Sequence, residues 1–279
     1  MTKALVLGGG GVTGIAWHLG LLCGLQRAGV PLGGADTIVG TSAGSVVGTL
    51  LAAGVDLEAA VAEQLREVAP RPGGGGGGGR GTGQFLAALA VLADPSVPPQ
   101  QARAQVGAMA LTAPTADEAT YLSRMEPLIP VRDWPERDLR LVVVDAADGR
   151  DLVLDRASGA TLLQAVSASC AVPGLMPPVT IGDARYMDGG VRLGAGADLA
   201  AGADHLVVIA PMAALSRDRI RAEMASTGAG KTLLVEPDEA ALEAFGPNFM
   251  DPSRRPAAAG AGLRQGEALA EAVRAVWPA

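Results

Sequence analysis

Twice in the first 55 residues a short apolar run ends in a glycine turn and passes at once into a helical pattern. KALVL (3–7) runs into GGGGVTG (8–14), and DTIV (36–39) runs into GTSAG (40–44). Apolar side chains at Ile15, Leu19 and Leu22 then keep the period of a helix over 13–28, and SVVGTLLAAG continues the second unit. Strand, glycine turn and helix in immediate repetition favour a parallel sheet with crossover helices. Further strands are expected at 139–146, 151–155, 205–211 and 232–238, and RYMDGG (185–190) as a strand running into a turn. Helices are expected at 56–69 with Asp56 as N-cap, and at 84–93, 99–112, 115–128, 159–170 and 254–277. The expected fold class is α/β: three layers, α/β/α, around a mostly parallel central sheet, with residues 1–279 as a single domain.

Composition narrows the class further. Apolar residues make up 49% of the chain and charged ones 18%, enough to bury a sizeable core. The uncharged runs 4–26 and 37–55 reach the length of a membrane span, but their glycine density is wrong for a spanning helix. Lys3 is too thin a basic start for a signal peptide, and ALVL breaks at Gly8. A cytoplasmic protein is expected, with peripheral contact at a membrane left open. A net charge of −7 argues against nucleic acid as a partner. Cys23 and Cys170, with two histidines in all, can make neither a disulfide framework nor a metal cage. The run PRPGGGGGGGRGTG (70–83) has almost nothing to bury and is expected to be a flexible loop.

GTSAG is the sharpest chemical signal. A serine on a tight strand-to-helix turn needs small neighbours on both sides, and Gly40 and Gly44 supply them around Ser42. The helix start then offers positive potential to negative charge at the serine. GGGVTG (9–14) also fits a dinucleotide turn, but the acidic residue that would hold ribose belongs at the far end of the next strand, and Asp36 sits at its start. The other reading is an oxyanion hole, with bare loop N–H groups turned to a developing oxyanion. Both turns leave the carboxyl ends of their strands and share one rim, which suits that reading. Asp188, with Gly189 and Gly190 behind it, is a carboxylate at a strand end. His205 opens a strand, away from the rim, and His18 lies on the stripe of a packed helix. Asp188 is therefore the natural base for Ser42, and a Ser-Asp dyad follows. ASTGAGKT (225–232) mimics a phosphate loop, but a helix precedes it and a strand follows, the reverse of the required order.

These blocks together resemble the patatin-like phospholipases. The resemblance rests on GGGVTG (9–14), GTSAG (40–44), SASCAVPGLMPPV (167–179), DGG (188–190) and ADLAAGADHLVVIAP (197–211), in that order. It implies Ser42 as nucleophile, Asp188 as its partner, and backbone amides of Gly9, Gly10, Gly11 and Val12 as oxyanion donors. Gly14, Gly40, Gly44, Gly189 and Gly190 are the motif glycines. It further implies hydrolysis of phospholipid, lysophospholipid or other acyl esters, with no metal and no cofactor. One position departs: the family usually carries Arg or Lys, which orients the glycine loop, where this chain has Thr13. A catalytically weakened relative that binds lipid or a partner is the alternative reading.

Overall fold

The computed structural model describes residues 1–67 and 80–278, so the heptaglycine run, expected as a flexible loop, lies outside the described residues. Eight strands form one mixed sheet: β1 (Lys3–Leu7), β2 (Thr37–Gly40), β3 (Asp138–Asp145), β4 (Asp151–Leu154), β5 (Val179–Ile181), β6 (Ala184–Asp188), β7 (His205–Ile209) and β8 (Lys231–Val235). Their order is β5-β6-β3-β2-β1-β7-β8, with β4 branching from β3. From β3 to β8 all pairings are parallel; β4, β5 and β6 join antiparallel.

The helices are α1 (Gly11–Arg27), α2 (Ala43–Ala52), α3 (Leu57–Leu65), α4 (Arg80–Leu92), α5 (Pro99–Thr112), α6 (Glu118–Met125), α7 (Leu162–Ser169), α8 (Arg217–Ser226), α9 (Glu239–Phe245) and α10 (Arg255–Val276). Strand alternation divides them into layers. Leu5, Leu7, Leu141, Val143, Val207 and Ile209 face the main core with α1, α2, α7 and α10. Ala4, Val6, Val142, Leu206 and Val208 face the other side, against Ile220 and Met224 of α8. Val144 and Met187 on that side meet Ala88, Val106 and Ala110 of α4 and α5, so those helices chiefly pack.

Some boundaries move. α4 begins at Arg80, so residues 80–83, expected as loop, form its first turn. The helix expected over 115–128 is α6 with a short 3-10 turn behind it, and β5 and α9 had no counterpart in the sequence reading. Asp56 does cap α3, accepting from the Glu58 N–H at 2.9 Å. The phosphate-loop mimic runs from the end of α8 into β8, and Gly228 takes the left-handed position (φ 73°) just past the helix.

One helix pair sets how the site is held. α1 and α10 lie backbone on backbone. A Cβ at Gly20 would enter the Ala259 carbonyl, and one at Gly24 the Leu263 carbonyl. From the other side, a Cβ at Gly262 or Gly266 would strike the Trp17 or Leu21 carbonyl. The buried Trp17 indole donates to the Gln265 side chain across the same interface at 3.0 Å.

Candidate active site

The two glycine turns depart from one rung of the sheet. Leu7, last in β1, pairs with Gly40, last in β2, and with Ile209, last in β7. The ladder runs one step further through Thr41 N–H to the Leu7 carbonyl (3.0 Å) and Gly8 N–H to the Ile209 carbonyl (2.9 Å). The chain then bends hard at Ser42, whose φ of 53° and ψ of −118° cost a residue with a side chain about 1–3 kcal/mol. The bend is tight enough that a Cβ at Gly44 would fall inside the Leu7 carbonyl, and one at Gly40 would lie 2.6 Å from the Gly44 carbonyl oxygen. Ser42 is the N-cap residue of α2, yet its hydroxyl caps nothing. The hydroxyl stands at the positive end of the helix without being spent on capping it.

Beside it, the glycine loop divides its amides into used and unused. Gly8 N–H is spent on β7, Thr13 N–H on the Phe249 carbonyl at 3.1 Å, and Gly14 N–H on the Gly10 carbonyl at 2.9 Å. The amides of Gly9, Gly10, Gly11 and Val12 have no hydrogen-bond acceptor among the described residues. A Cβ built on Gly9 would sit 3.5 Å from the Ser42 Cβ, so the free amides adjoin the serine. A Cβ at Gly10 would collide with Pro211 at 2.7 Å, whereas one at Gly14 meets the same ring only at 3.4 Å. The Phe249 carbonyl also accepts from the Thr13 hydroxyl at 3.4 Å, and it presses on Gly11, where a Cβ would be 2.7 Å away. That one carbonyl thus clasps Thr13 through both its N–H and its hydroxyl.

Asp188 reaches the same place from the other direction. β3 serves as the ruler: its Leu141 pairs with Gly40 of β2 and its Val143 with Asp188 of β6. β6 runs antiparallel to β3, so its carboxyl end points back to the serine turn. Gly189 lets the chain leave, since a Cβ there would be 2.5 Å from the Val142 carbonyl oxygen. The Asp188 carboxylate accepts the Gly190 N–H at 2.7 Å and is only 4% exposed. Burial pushes its pKa up to about 6, while hydrogen bonds from Gly190 and, more weakly, from the Ser42 side chain pull against that rise.

Neither histidine joins them. His18 is fully buried, its Nε2 on the Ile209 carbonyl at 3.3 Å, and desolvation lowers its pKa to about 4. His205, at the amino end of β7, holds the Val276 carbonyl at 2.7 Å.

Sequence reasoning missed several residues around this pair. The turn 169–171 lies within SASCAVPGLMPPV, but its letters alone carry no task. Glu223 of α8 was unmarked, yet its Oε2 accepts the N–H groups of Ala195, Gly196 and Ala197 at 3.0, 2.9 and 3.2 Å. Phe249 had no signal at all.

Fold and elbow together define the class, an α/β protein with a strand–serine–helix elbow on the carboxyl rim of its sheet. More narrowly, the chain belongs to the patatin-like phospholipase family, since a family model described as Patatin-like phospholipase matches residues 5–201, more than half of it. Members of that family are lipid acyl hydrolases. Among solved structures, VipD from Legionella pneumophila is similar at 16% identity and a TM-score of 0.49, over 97% of this chain and 67% of that one. ExoU in its heterodimeric complex with SpcU, from the type III secretion system of Pseudomonas aeruginosa, is similar at 17% identity and a TM-score of 0.38, over 96% of this chain and 52% of that one. The chain thus spans about half the length of ExoU. None of the curated proteins compared with the sequence matches it.

Proposed function

We propose that the chain is a serine lipid acyl hydrolase working through a Ser42–Asp188 dyad, with ester-linked acyl chains of phospholipid or lysophospholipid as substrate. The observation that carries this reading is the meeting of three elements on one rim. An uncapped, strained Ser42 sits there with a buried Asp188 whose pKa is raised to about 6, beside four amides with no acceptor among the described residues.

Asp188 takes the hydroxyl proton as Ser42 Oγ bonds to the acyl carbonyl carbon. The carbonyl oxygen gathers negative charge and is held by amides among Gly9 to Val12; loss of one such donor typically slows the reaction about 10²–10³-fold. The tetrahedral centre collapses, the C–O bond to the alcohol breaks, and that alcohol leaves with the proton from Asp188. Water then attacks the acyl-serine, giving its proton to Asp188, which returns it to Ser42 as the fatty acid departs. No cofactor or metal enters these steps.

Cys23 and Cys170 are both free thiols, which suits a cytoplasmic protein. No helix among the described residues is long and apolar enough to cross a membrane. Work at a lipid surface is then peripheral in this reading, within one domain spanning the chain.

Purified protein treated with a fluorophosphonate and weighed intact tests the proposal. One adduct per chain is expected, absent in Ser42→Ala and strongly slowed in Asp188→Asn, with release of fatty acid from lysophospholipid following the same order. A folded wild type that takes no adduct overturns the hydrolase and leaves the lipid-binding reading.

A further inference from the structure

The serine and the aspartate come from strands on either side of β3, and neither side chain fixes the other's backbone. Three consecutive residues at the end of α7 touch both. The Ser42 N–H donates to Ser169 Oγ at 3.0 Å, and Ser169 Oγ donates onward to the Val142 carbonyl at 2.8 Å. Cys170 Sγ donates to the Ser42 carbonyl at 3.3 Å. Burial first, and Asp188 second, push that thiol up to about 12, so it keeps its proton to donate. The Ala171 carbonyl accepts the Asp188 N–H at 3.0 Å.

Val142 lies between Leu141, the partner of Gly40, and Val143, the partner of Asp188. The Ser169 hydroxyl therefore ties the strained amide of Ser42 to the midpoint of the ruler that separates the two strands. Ser169 is fully buried and its hydroxyl has a partner on each side, so it has no freedom to relax. By contrast Ser167, also fully buried on the same helix, has a hydroxyl with no partner among the described residues.

We infer that the 169–171 turn is a positioning bracket for the dyad, and that Ser169 is its controlling side chain, holding Ser42 in the bent conformation at a fixed distance from Asp188. The inference rests on the hydrolase reading for its catalytic consequence, but not for its structural one. A misplacement of about 1 Å in reacting groups costs on the order of 10²-fold in rate. Without its bracket the Ser42 backbone also has an incentive to relax from positive φ.

The experiment compares Ser169→Ala with Ser167→Ala, by fluorophosphonate labelling rate, by kcat and KM on an ester, and by hydrogen exchange at the Ser42 amide. Ser169→Ala is expected to lower the labelling rate and kcat about 10- to 100-fold with KM held, and to speed Ser42 amide exchange about tenfold. Ser167→Ala is expected to match wild type in all three. Wild-type labelling in Ser169→Ala, or a loss confined to KM, overturns the bracket. Should wild type itself take no label, the hydrolase reading falls and the bracket is judged by exchange alone: faster exchange in Ser169→Ala only upholds it, equal exchange overturns it. If Ser169→Ala does not fold, Ser169→Thr and Ser169→Val, alike in shape, decide the matter. The hydroxyl-bearing member must be the faster to label and the slower to exchange, and equality of the two overturns the inference.

Discussion

Asp188 and Glu223 are the two buried carboxylates that border the chain segment 188–197, and they are provided for in opposite ways. Asp188 is 4% exposed, and its carboxylate accepts one backbone N–H, that of Gly190. Glu223 is 8% exposed and has three backbone N–H groups on one oxygen, with Arg219 at 3.7 Å from the other. Donors are what make a buried charge tolerable. A carboxylate with three amides on one oxygen is an anchor, even with its Oε1 lacking a hydrogen-bond partner among the described residues: Glu223 pins the turn whose Ala195 carbonyl accepts from the Thr41 hydroxyl, next to the serine. A carboxylate left short of donors wants a proton, and that shortage is what a base for a hydroxyl needs. The fold spends its amides on the residue that holds and withholds them from the residue that reacts.

Exchanging the carboxylates for neutral groups puts that contrast under strain. Asp188→Asn is expected to lower kcat/KM by about 10³-fold or more while leaving the chain folded, as intact-mass labelling and circular dichroism will read. Glu223→Ala is expected to do the reverse, destabilising the fold by about 3–5 kcal/mol through three stranded amides and an unpaired Arg219, measured by denaturant unfolding. Comparable stability losses in the two variants would erase the distinction.

Proton uptake sharpens it. With its pKa raised to about 6, Asp188 is a base only above that value, so kcat/KM should fall about tenfold per pH unit below it. The stability effect has the opposite sign. A raised carboxyl pKa means that the folded state holds its proton more tightly than the unfolded state. Wild type therefore loses stability as pH rises from about 4 to about 6. Asp188→Asn escapes that loss and should be more stable than wild type by about 1–2 kcal/mol at pH 8, with the gap closed near pH 4, in thermal scans at both values. The smallest effect belongs to Arg219→Ala. Its guanidinium is nearly half exposed and 3.7 Å from Glu223, so under about 1 kcal/mol should be lost.

The parts of the molecule legible in its sequence are those that close packing forces into particular letters. Gly40 and Gly44 stand where Cβ atoms cannot, and Asp188 is followed by Gly189 for the same reason, so elbow and strand end could be read from neighbours in the chain. The strands of the parallel run carry apolar stretches such as ALVL, LVVV and LVVI. What stayed hidden is long-range or polar. Ser169 meets Ser42 from 127 positions away. Glu223 sits in RDRIRAEM, a run that reads as a solvated helix face, and only the fold supplies its three amides. β5 has three residues, too few for any period to show. The clasp on Thr13 is a backbone carbonyl, which has no letter of its own.

The glycine contact between α1 and α10 has a consequence for where this protein can be divided. The family match stops at residue 201, yet the helix whose first turn bears the free loop amides is gripped, with no space for a methyl group, by a helix that begins at Arg255. Trimming at the end of the shared region would remove α10 and also β7, which pairs with β1 and takes the Gly8 N–H, so both supports of the glycine loop would go together. The carboxyl-terminal helix is thus part of what holds the loop rather than an accessory to it. Modularity ends here, where two backbones touch.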